Sequence, residues 1–156
     1  MVHRGIASLA LALAVCFLFL SRFDEQFFLV HFYESLIYLA IVLMLFYFED
    51  RWAYMMGMVA PAVWLTLTGL WGGLRSLPQQ LSPAFHPGSA FFPVGLLTTF
   101  VIVLSIALIT CCANRWRREF RGLAKGRRTF LVSLGLVVAY YAVIVIWILR
   151  WPPSAA

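Results

Sequence analysis

The sequence predicts an all-α integral membrane protein: a bundle of five transmembrane helices, with the N-terminus cytoplasmic and the C-terminus outside. Three observations lead there. The 156 residues are 63% hydrophobic and only 12% charged, with a mean hydropathy of +0.92, which lies outside the range of soluble domains. Five apolar runs approach or exceed the length a bilayer requires, about 20 residues each. Finally, Asn114–Arg128 holds seven of the twelve basic residues against one acid, Glu119, so this segment alone accounts for the +6 net charge. A basic segment flanked by apolar runs marks a cytoplasmic loop. In a soluble chain a pI near 9.7 would suggest nucleic acid. With the excess confined between apolar runs, the expected partners are anionic lipid headgroups and not nucleic acid.

The spans follow in order, as one membrane domain over residues 1–156. Gly5–Ser21 is the shortest, reaching only about 25 Å at helical rise. It is expected to stay as an anchor, because no Ala-x-Ala cleavage site follows it and Leu-Ala-Val before Cys16 suits lipoprotein processing poorly. Phe27–Phe48 begins after the charged joint Arg22-Phe23-Asp24-Glu25-Gln26, and Ala53–Leu74 after Glu49-Asp50-Arg51-Trp52. The third span contains Pro61, which should kink it. Phe91–Ala113 follows a Pro-rich stretch, and Thr129–Leu149 follows the basic loop. Placing that loop in the cytoplasm puts nine basic residues inside and leaves Arg22, Arg75 and Arg150 outside, a clear positive-inside bias. Trp52, Trp71, Trp116, Trp147 and Trp151 lie near span ends, as interfacial indoles should. Trp64, in mid-span, is the exception.

Helix packing is expected at Gly69 and Gly73, one Gly-x-x-x-Gly pair, and at Ala53/Gly57, Ala10/Ala14 and Gly135/Ala139. Small residues one turn apart let helices approach closely in lipid. Cys16, Cys111 and Cys112 have no metal or redox spacing and read as apolar packing residues.

Chemistry is concentrated in the second span. His31 and Glu34 are three residues apart and share a helical face with Tyr38. An acid at this depth costs about 2.5–3.5 kcal/mol, so it must face the bundle and find a partner. Counted from the outer boundary, Thr66, Thr68, Thr98, Thr99 and Tyr141 lie in the same layer, roughly 9–13 Å deep. If these faces converge, they form a polar pocket open to the outside with Glu34 as its acid, and the loop carrying His86 could cover it. Two other readings remain open. The threonines can bond back to their own helices, and Glu34 can pair with Arg22, Arg75 or Arg150. In the basic segment, Arg115, Arg118, Arg121, Lys125 and Arg128 share one face if it is helical, suited to headgroup contact. A solvated loop fits the same pattern.

No metal site, nucleophile elbow or phosphate loop is present. No cofactor is predicted, although haem and quinone stay compatible with the sequence. Pro87-Gly-Ser-Ala-Phe-Phe-Pro93 resembles the segment leading into a span of the small membrane subunit of tripartite tricarboxylate transporters. That resemblance implies solute transport. The chain departs from that pattern by two extra spans before the segment and by one span, not two, after the basic loop.

The first functional expectation is a non-catalytic accessory or scaffold subunit, packed against other membrane subunits or itself in a bacterial inner membrane. A small proton-coupled transporter or channel using Glu34 is the alternative. A quinone- or lipid-modifying enzyme using His31 and Glu34 as an acid–base pair is the third.

Overall fold

The computed structural model describes residues 2–24, 27–47, 50–70, 92–120 and 126–150. These form five α-helices: α1 (Val2–Phe23), α2 (Phe28–Phe46), α3 (Asp50–Leu70), α4 (Phe92–Glu119) and α5 (Gly126–Arg150). Each is long and apolar enough to cross a membrane, and no strand occurs among the described residues.

Every helix turns one stripe inward. On α1 it is Ile6, Ala10, Leu13, Phe17 and Leu20; on α4 it is Val101, Ser105, Leu108 and Cys112. On α5 the inward stripe is Thr129, Ser133, Val137, Tyr141 and Ile144, whereas Leu131, Leu136, Val138 and Val143 face out. On α5 the hydroxyls of Thr129, Ser133 and Tyr141 thus point inward, while its exposed residues are mostly aliphatic. A hydrocarbon surround favours this arrangement, because apolar side chains lose nothing there and polar ones must find partners. α1 packs on α2 and α4, while α3 packs on α2, α4 and α5.

The tightest joint is between α3 and α4. A Cβ placed on Gly57 would lie 2.7 Å from Cys112 Sγ, and Ala53 one turn earlier is fully buried. Two predicted small-residue pairs, Ala53/Gly57 and Ala10/Ala14, are thus used inside the bundle. Gly69 is half-buried, and Gly73 lies outside the described residues. α3 runs through Pro61 without a break; proline has no N–H, so the Gly57 carbonyl lacks its i+4 donor.

The basic segment departs from the expectation of one loop or one headgroup helix. Asn114–Glu119 are the last turns of α4, and Gly126–Arg128 open α5. Arginine and glutamate are good helix formers, and Arg115 pairs with Glu119 one turn on at 2.5 Å, so the helix continues past its apolar portion. Trp116 stacks on Phe120 at 4.8 Å, and Phe120 meets Tyr54 of α3. Arg118 and Arg128 are exposed on two different helices, while Arg121 and Lys125 lie outside the described residues.

Gly57→Leu is expected to lower stability by about 1–3 kcal/mol through overpacking against Cys112. Gly135→Leu should be near neutral, since nothing lies within 4 Å of a Cβ there. Thermal unfolding in one detergent checks both; equal melting temperatures would contradict the close approach.

Candidate functional site

One end of the bundle collects the C-terminal ends of α1, α3 and α5 and the N-terminal ends of α2 and α4 around a cleft of about 280 Å³. Asp24, His31, Glu34, Trp64, Thr68 and Thr98 are its polar lining, and Leu67, Val94, Ile144 and Ile148 are among its apolar walls. It lies at the opposite end from Arg115 and Glu119.

A tight turn positions the first of these groups. The Asp24 amide donates to the Leu20 carbonyl at 2.8 Å, and the Phe27 amide to the Asp24 carbonyl at 3.2 Å. Asp24 is thereby held between the end of α1 and the start of α2. Its Oδ2 lies 3.6 Å from His31 Nε2. On the other side of the ring, His31 Nδ1 lies 3.1 Å from Glu34 Oε2, across the i,i+3 spacing that puts both on one face. With its proton on Nδ1 the imidazole donates to Glu34. The second oxygen of that carboxylate, Oε1, accepts from the Trp64 indole Nε1 at 3.1 Å.

Burial deepens along this series. The side chains are 27% exposed for Asp24, 19% for His31 and 9% for Glu34. The series therefore leads from the cleft mouth inward through the two nitrogens of one imidazole. Aromatic rings hold it in place: Phe17 of α1 is 6.3 Å from the His31 ring, stacks on Tyr38 at 5.4 Å and meets Trp64 edge-on at 5.5 Å. Beyond Glu34, the hydroxyls of Tyr38, Ser105 and Tyr141 face one another in the core, closed off from solvent and without a well-formed hydrogen bond. Tyr140 stacks on Tyr33 at 4.2 Å, and its hydroxyl donates to the Tyr33 carbonyl.

The depth-matched residues divide into three groups. His31, Glu34, Thr68 and Thr98 line the cleft. Tyr38 and Tyr141 lie below it in the core. Thr66 and Thr99 are outside it: Thr66 is exposed beside an apolar groove with Met58, Ile109 and Phe130, and its hydroxyl donates to Ala62 O, as Thr99 does to Gly95 O. Thr98 also bonds back to its helix, at Val94 O. The partners of Glu34 are His31 and an indole, and Arg22 and Arg150 are exposed. Arg75 and His86 lie outside the described residues.

No family model, curated protein or solved structure matches this chain. The Pro87–Pro93 resemblance stays a local one, and the site is interpreted from its own residues.

Sequence reading missed Asp24 and Trp64 as parts of the site. Asp24 falls in a charged joint of the sequence, seven positions before His31. Trp64 stands out in the sequence only as the indole away from a boundary; a buried indole N–H needs an acceptor, and Glu34 is the acid in need of a donor.

Trp64→Phe should destabilise the fold by about 1–3 kcal/mol, because it strips a donor from a buried acceptor. Trp147→Phe, at a side chain facing outward, should have little effect. In a Glu34→Gln background the cost of Trp64→Phe should shrink, since partners in one contact are not additive. Fully additive losses in a double-mutant cycle would refute the coupling.

Proposed function

We propose that this chain is a small proton-coupled membrane transporter, inserted with its N-terminus cytoplasmic and its cleft facing outward, in which His31 and Glu34 form the proton-carrying site. The observation that carries this is the burial gradient through the imidazole. Asp24 faces Nε2 at the mouth and Glu34 faces Nδ1 inside, so one ring can take a proton on one nitrogen and release it from the other. An ionisable pair at this depth between apolar helices is costly, and such pairs mark ion and proton pathways. Hydroxyls act as both donor and acceptor, and those of Tyr38, Ser105 and Tyr141 continue the polar path inward, with Ser133 and Thr129 buried further along α5. Seven basic residues in Asn114–Arg128 support the sidedness through the positive-inside rule.

The accessory-subunit reading keeps one specific support. Ala10, Ala14, Ala53 and Gly57 are consumed within the bundle, but Gly135 and Ala139 lie exposed on α5, spaced as a helix-packing seam. Purification in mild detergent tests it: a protein partner that is retained by wild type and lost in Gly135→Leu would favour that reading, and a lone monomer would remove it.

For the transport reading, the measurement is proton entry into proteoliposomes containing pyranine. A valinomycin-clamped potential would drive it, with and without a panel of small amines, acids and sugars. Wild type should acidify the lumen with at least one of these conditions. Glu34→Gln, at equal incorporation, should fall to the level of empty vesicles. Undiminished flux in that variant would refute the proposal.

A further inference from the structure

We infer that the cleft takes an organic ammonium ion with an apolar body. This rests on the transport reading, for which it names the class of solute.

Charge selects the sign. Among the described residues lining the cleft, two are carboxylates, one is an imidazole and none is lysine or arginine. With both carboxylates ionised the group carries −2 beside a neutral ring and −1 beside an imidazolium; an added cation reduces the magnitude of that charge in either case. An added anion meets repulsion in a medium where charges interact more strongly than in water. Glu34 can still accept a bond, since each of its oxygens meets one donor and a carboxylate offers about four acceptor positions.

Shape selects the rest. The rings of Phe27 and Trp64 border the same space as Glu34, and aromatic faces attract ammonium groups. Leu67, Val94, Ile144 and Ile148 supply apolar wall. A volume of about 280 Å³ suits a one-ring amine, being at the small end of ligand sites. An ammonium and a proton held on His31 would compete for the same negative charge on Asp24 and Glu34, which is a physical basis for exchange. The phenols of Tyr38, Tyr140 and Tyr141 also lie within electrostatic range of Glu34, while Arg22 and Arg150 are exposed at the same end. The ammonium could belong to a free solute or to an ethanolamine or choline headgroup.

The test is calorimetric titration of the full chain in maltoside micelles with benzylammonium, in two buffers of different protonation enthalpy. Saturable binding with proton release is expected, weakened about tenfold or more in Glu34→Gln, as for loss of one partner in a buried charge pair. Ile148→Trp, which fills the cleft without changing its charge, should abolish binding. Phenylacetate, the same ring with the opposite charge, should not bind. Binding of phenylacetate in place of the cation, or cation binding that both variants leave unchanged, would overturn the inference.

Cation binding without proton release would retain the ammonium site and overturn proton coupling. Protein-dependent proton flux without cation binding would do the reverse. Competition by phosphatidylethanolamine but not by phosphatidylglycerol assigns the site to a lipid headgroup, and absence of competition assigns it to a free amine.

Discussion

A carboxylate set among apolar helices has to be neutralised or hydrogen-bonded, and the way Glu34 meets that requirement organises this bundle. One oxygen goes to His31 on its own helix and the other to the indole of Trp64 on α3. His31 is in turn bracketed by Asp24 at the end of α1. Three helices are thus tied at one level by groups that would each be costly alone. Phe17 touches His31, Tyr38 and Trp64, so the ring packing of α1 sets the geometry of the polar series as well.

The rest of the fold, five helices long and apolar enough to cross a membrane, fits an apolar surround. Burying aliphatic surface contributes little when the surroundings are equally apolar, so helices associate through close backbone approach and through polar contacts. Gly57 against Cys112 supplies the first. The hydrogen bonds from Trp64 to Glu34 and from Tyr140 to the Tyr33 carbonyl supply the second. The cleft lies at the end of the bundle lined by Asp24, His31 and Glu34.

Much of this was readable from residue spacing. The i,i+3 relation of His31 and Glu34 and the apolar run around them pointed to an inward, paired acid. Depth counting singled out Thr68 and Thr98 along with residues that lie elsewhere. It failed for Thr66 and Thr99 because rise along a helix gives height and not azimuth. Each side chain turns about 100° from its neighbour, so Thr98 faces the cleft while Thr99 does not. The end of α4 differs from the apolar boundary for another reason: hydropathy reports where an apolar span should stop, whereas helix propensity and the Arg115–Glu119 pair carry the helix on to Glu119.

Composition and periodicity by themselves determined five apolar helices, their approximate bounds and a buried acid with a histidine on its face. The positive-inside rule alone supplies the expected sidedness. Only the tertiary structure decided who answers the acid. Partners such as Trp64, thirty residues away on another helix, depend on how helices rotate and lean, and that is set by contacts such as Gly57 with Cys112 rather than by any local pattern. Heights along single helices are a one-dimensional property of the chain, but a site needs relative rotations, which arise only from packing.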